Sequence, residues 1–142
     1  MPDTDILLAK AGNIRRCLSR IKETTKLDPE SLDDMDKQDI FVLNLQRAIE
    51  AAIDIAAHIV ASEGLGLAAQ IKDNFRFLNE AGIIDEKLLK KMQSMVGFRN
   101  IAVHDYRSIN VDILKSILTR NLKDLEEFYS AVLKRFSPAQ ER

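Results

Sequence analysis

A chain of 142 residues, 46% apolar and 30% charged, is sized for one soluble domain with a buried core. A net charge of -1 excludes a global basic field, so wholesale coating of DNA or RNA is not expected, while a small local RNA or nucleotide site is compatible with it. The single Cys17 excludes an internal disulfide and a cysteine zinc cluster, and five glycines with three prolines are too few for an all-β protein built on tight turns.

The first helix is expected to start near Asp3-Thr4-Asp5, whose side chains can accept from free backbone N–H groups. Leu7, Ala11, Ile14, Leu18 and Ile21 then recur at intervals of four and three, the stripe of one buried face. Arg15, Arg16, Arg20 and Lys22 fall outside it and read as a solvated face, with phosphate contacts as the alternative. Cys17 reads as core packing. Leu27 to Met35, with Asp28-Pro29 and several acids, is expected to be a loop.

A second helix follows from about Asp36 to Glu63, the longest stretch without Gly or Pro. Its apolar residues, among them Leu43, Ala48, Ala52, Ile55, Ala56 and Ile59, cover much of the circumference, so it should be a central helix, a dimer interface, or both. His58 inside this run reads as a hydrogen-bonded structural residue. Gly64-Leu65-Gly66 breaks the helix. A third is expected over about Leu67 to Glu80, with Ile71, Phe75 and Leu78 inward. Ala81-Gly82 closes it, and Asp85 caps a fourth whose stripe is Leu88, Met92, Met95 and Val96. Met35, Met92 and Met95 read as adaptable packing. Gly97 is expected to loosen this helix or admit another backbone. After a connector at Arg107-Ser108-Ile109-Asn110, the last helix should run from about Val111 to Phe136, with Leu114, Leu118, Leu122, Leu125, Tyr129, Val132 and Phe136 in one stripe and Ser137-Pro138 as its stop. No strand alternation, repeat, signal pattern or membrane-length run is visible. The expectation is an all-α, cytoplasmic, single domain over residues 1–142. It would be an antiparallel bundle of four long helices plus one shorter helix, ordered over about 3–136 with a tail at 137–142.

Between the fourth helix and the connector lies Arg99-Asn100-Ile101-Ala102-Val103-His104-Asp105-Tyr106, a gathering of cationic and titratable groups. If the helix continued through it at about 100° per residue, Arg99 and Tyr106 would lie within roughly 20° of each other. Asn100 and His104 would share the next strip, while Arg99 and His104 would flank rather than stack. Histidine titrates near pH ~6.5 and can move a proton at neutral pH. Arginine stays charged and presents a fork that matches phosphate oxygens. An RNA phosphodiester carries its own 2'-hydroxyl nucleophile, so a proton-transfer group and a fixed cation suffice to cleave it. Two histidines in all and no His-x-x-x-His pair give little support to metal hydrolysis, and no cofactor is expected. By spacing alone, the same residues also fit a structural helix end with an ion pair to Asp105.

The octapeptide resembles the Arg-x4-His-x-Tyr signature of the HEPN superfamily, specifically the HepT-type toxins of bacterial and archaeal toxin–antitoxin pairs. The likeness extends to Val42-Leu43-Asn44-Leu45-Gln46-Arg47-Ala48 with Ala51-Ala52-Ile53-Asp54-Ile55-Ala56. It also takes in Phe77-Leu78, Gly82-Ile83-Ile84, Met92 and Met95-Val96-Gly97-Phe98, and covers roughly Ile6 to Leu133. The resemblance implies a helical bundle that forms a homodimer, with two Arg–His pairs in or near one cleft. It implies a metal-independent ribonuclease that leaves a cyclic phosphate end. By the same resemblance Arg99 would hold and polarise the scissile phosphate, His104 would transfer protons, and Asn100 would orient phosphate or histidine. Tyr106 matches the tyrosine that a partner antitoxin, a minimal nucleotidyltransferase, modifies with AMP groups from ATP. The alternative within the family is a non-catalytic subunit serving as a binding or dimerisation module for a nucleotidyltransferase.

Overall fold

The computed structural model describes residues 2–136. The expected tail at 137–142, including the Ser137-Pro138 stop, lies outside the described residues. Helix α1 spans Thr4–Thr25 and starts as expected, with the Asp3 carboxylate accepting from the backbone N–H groups of Asp5 and Ile6. It ends at Lys26 in the left-handed region, φ 56°. The expected loop contains a short 3-10 turn, Pro29–Asp33, that buries Leu32. Helix α2, Met35–Glu63, is capped by Asp34 and closed by Gly64 at φ 62°, a conformation that costs Gly little. Met35 is exposed rather than packed.

Helix α3, Ile71–Glu80, begins four residues later than its apolar pattern indicates. The Asp73 carboxylate accepts from the backbone N–H groups of both Ala69 and Gln70, which fixes the helix start at this point and leaves Leu67 exposed. These two bonds, ahead of the nearby Arg76, hold the Asp73 carboxyl below the usual carboxylate range. Helix α4, Glu86–His104, runs unbroken through Gly97. The nearest atom to a side chain added there would be Lys72 Nζ at 3.8 Å, so within the described residues Gly97 neither opens the helix nor admits a backbone.

The expected single last helix is two: α5, Val111–Arg120, and α6, Leu122–Phe136. At Asn121 the backbone turns to φ -117°, and its side-chain amide donates to Asp124 Oδ2 at 3.0 Å. Asp124 is 1% exposed and pairs with Lys91 Nζ of α4 at 3.4 Å, which pins the start of α6 against α4. The expected stripe is kept across the break, with Leu114, Leu118, Leu122, Leu125, Val132 and Phe136 buried, and it departs at one position. Phe128, not Tyr129, is fully buried, while the half-buried Tyr129 lies under the Arg15 guanidinium. The described residues therefore form six helices, four of 15 to 29 residues and two of ten.

Pairings between elements fix the directions of the long helices. Lys10 meets Asp54, and the Asp3 N–H donates to His58 Nε2, both at 2.9 Å, so α1 and α2 are antiparallel. His58 thus has the structural role expected of it. Arg99 meets Glu50 and Tyr106 meets Asp39, so α4 runs against α2 as well. Lys22 meets Glu126 and Arg15 meets Tyr129, so α6 runs against α1. The result is an up-down-up-down bundle. Helix α2 touches α1, α3, α4 and α6, making it the central helix that its composition predicts. Phe75 and Phe128 meet edge-to-face in the core, 5.4 Å between ring centroids. Among the described residues no helix is long and apolar enough to cross a membrane.

Candidate active site

Although α2 is mostly buried, one strip is not. Asp39, Leu43, Arg47, Glu50 and Asp54 are exposed or half-buried, and at 100° per residue they fall within about 80° of one another. Three carboxylates on this strip meet residues from the neighbouring elements: Asp54 takes Lys10 of α1, Glu50 takes Arg99, and Asp39 takes Tyr106. Two residues of the octapeptide are thus docked on a single face of the central helix.

Arg99 lies on the next-to-last full turn of α4. Its Nε donates to Glu50 Oε1 in a short hydrogen bond, and its Nη1 donates to Asn100 Oδ1 at 2.9 Å. A guanidinium carries five N–H donors in one plane, so these contacts fix that plane while leaving donors for a phosphate oxygen. Asn100 therefore touches the arginine through its amide oxygen. The side chain of Arg99 is one-fifth exposed, enough for a ligand to reach it.

His104 is the last residue of α4 and is exposed, not shut inside the core. Five residues of helix separate it from Arg99, about 140° around the axis and ~7.5 Å along it. The helix ends at His104 and does not continue to Tyr106. Asp105 adopts φ -152°, its carbonyl accepts from the Ser108 hydroxyl and N–H, and Tyr106–Ser108 form a 3-10 turn. That turn carries the Tyr106 ring back onto the beginning of α2, where its hydroxyl donates to Asp39 Oδ1 at 2.5 Å. Burial of the ring, then the hydrogen bond to Asp39 and its negative charge, push the Tyr106 phenol from 10.0 up to about 12. Arg99 and Tyr106 do not share one patch. Their partners on α2 are eleven residues apart, about 16 Å along the axis.

Glu50 also lines an open groove of about 450 Å³ between α1 and α2, with Lys10, Arg16 and Arg47 among its walls. Cys17 sits in this groove, half-buried against the core. Burial pushes its thiol up in spite of the nearby Arg47 and Arg16, which is the behaviour of a packed thiol, not of a nucleophile. Asp39 and Glu50 are the residues that sequence reasoning passed over. The available signal was that Asp39, Arg47, Glu50 and Asp54 recur on one face of a helix whose other faces are mostly apolar.

The geometry belongs to a recognised class. Residues 14–132 match the family described as "Ribonuclease HepT-like", and the chain belongs to that family. A curated relative, mRNA nuclease HepT of Shewanella oneidensis, is 38% identical over 128 residues, which are 90% of this chain and 96% of the relative. Among solved structures, a toxin–antitoxin complex with AMP-PNP superposes with a TM-score of 0.85 at 38% identity, covering 90% of this chain and 97% of that one. The tri-AMPylated Shewanella oneidensis HEPN toxin in complex with MNT antitoxin also superposes at 0.85, with 39% identity over 90% of this chain and 96% of that one.

Proposed function

We propose that this chain is the ribonuclease toxin of a toxin–antitoxin pair. In this reading it cuts RNA in the cytoplasm without a metal, using Arg99 and His104, and is neutralised when a partner nucleotidyltransferase transfers AMP to Tyr106. The carrying observation is the α2 strip: in a HepT-like chain, it holds the guanidinium of Arg99 and the phenol of Tyr106, with an exposed His104 between them in sequence.

The chemistry follows from those groups. Arg99, its plane set by Glu50 and Asn100, holds the non-bridging phosphate oxygens and offsets the charge that develops on them. A 2'-hydroxyl attacks the adjacent phosphorus, the bond to the 5'-oxygen breaks, and a 2',3'-cyclic phosphate and a 5'-hydroxyl remain. His104 moves a proton at the attacking or leaving oxygen. Because Arg99 and His104 diverge around one helix, a second copy of the chain is the natural source of the complementary pair. Ile101 and Val103, 48% and 45% exposed on either side of this helix end, and Leu43, 45% exposed on the strip, are apolar surface that a homodimer would cover. AMP on Tyr106 adds bulk and negative charge at the end of α4 that carries His104, opposing the entry of RNA.

The test is incubation of the purified protein with total RNA in chelator, beside His104→Ala. Cleavage by the wild type and a loss on the order of 10² to 10⁴ in the variant are expected. Equal cleavage by both would remove the assignment. A chain that binds the nucleotidyltransferase and cuts no RNA would be the non-catalytic family member instead.

A further inference from the structure

We propose that Asp39 is the catalytic base for AMP transfer onto Tyr106, an inference that rests on the reading of Tyr106 as the acceptor. The phenol and the carboxylate come from elements 67 residues apart in sequence, yet the hydroxyl is already donating to Asp39 Oδ1 at 2.5 Å. Tyr106 is 37% exposed, so an incoming nucleotide can reach the residue while its hydroxyl proton points at the carboxylate.

Why a base is needed follows from the ionisation of the phenol. With its titration pushed up to about 12, the ring is a neutral phenol at physiological pH and a poor nucleophile. The proton must leave as the bond to phosphorus forms. In the proposed step, Tyr106 Oη attacks the α-phosphorus of ATP bound by the nucleotidyltransferase, and the Oη–P bond forms. The bond from that phosphorus to the bridging oxygen breaks, its electron pair leaving with pyrophosphate, and the phenolic proton passes to Asp39. The balance is phenol plus ATP giving aryl-AMP and pyrophosphate, with one proton on the carboxylate. Protonated, Asp39 no longer repels the phosphodiester anion formed beside it.

Asp39 also stands on the first turns of α2, anchored by the capped start of the central helix, so its position does not depend on the partner. It is exposed, and substitution there removes no core contact. Asn keeps an oxygen that can accept the same hydrogen bond but cannot take up a proton, and this separates holding the phenol from deprotonating it.

The experiment combines the chain with its nucleotidyltransferase and ATP, and follows the AMP adduct by intact mass for wild type, Tyr106→Phe, Asp39→Asn and Asp39→Glu. Asp39→Asn should slow the transfer on the order of 10² to 10⁴-fold, with KM for ATP, affinity for the partner and melting temperature unchanged. Asp39→Glu should recover part of the rate. Labelling of Asp39→Asn at the wild-type rate, with Tyr106→Phe blank, overturns the base and leaves the acceptor standing. Labelling of Tyr106→Phe at the wild-type rate overturns both.

Discussion

The core around Phe75 and Phe128 and the polar strip of α2 hold this molecule in opposite ways. In the core, each side chain touches many others, and the contacts are non-directional dispersion and water exclusion. On the strip, Arg99 and Tyr106 are each placed by an acid from far away in the chain, through one directional bond. Removing a core residue should therefore cost stability, whereas removing a strip residue should cost activity. It follows that fold and proposed site should be separable in this chain, with the bundle surviving loss of the strip contacts.

That contrast can be broken at its strong end first. Phe128→Ala should lower unfolding stability by about 3–5 kcal/mol, read from the midpoint of chemical denaturation, because it empties the ring-sized space beside Phe75. RNA cleavage per folded molecule should stay as it is. An equal loss of turnover in the fraction that remains folded would mean that core and site are coupled after all.

The converse is Glu50→Ala. The Arg99–Glu50 pair is partly exposed, so stability should move by less than ~1 kcal/mol. Turnover on RNA should fall about tenfold, or ~1.4 kcal/mol of transition-state stabilisation, since the guanidinium loses the contact that fixes its plane. Wild-type turnover in this variant would show that Arg99 needs no help from α2 to be placed.

The smallest effect is a titration. Tyr106 binds its proton more tightly folded than unfolded, with the phenol raised from 10.0 to about 12. Its contribution to stability is thus fully present below the ordinary phenol range and is lost as pH rises through the window from 10.0 to about 12. Tyrosinate absorbance, taken as wild type minus Tyr106→Phe, should show the late titration, and Asp39→Asn should bring it earlier. A midpoint unmoved by Asp39→Asn would mean that burial alone holds the phenol.

The features legible in the chain before folding are periodic or contiguous. Leu7 to Ile21 recur at helical intervals, α2 is apolar on most sides, and Arg99 to Tyr106 lie in one stretch, so helix content, the central helix and the candidate residues could be read before any folding. Packing of the folded chain sets where α4 stops, that the last helix breaks at Asn121, and that Glu50 and Asp39 are the partners of Arg99 and Tyr106. The physical reason is that burial of a helix face repeats every turn and leaves a pattern, whereas one polar contact between residues 49 or 67 apart leaves none.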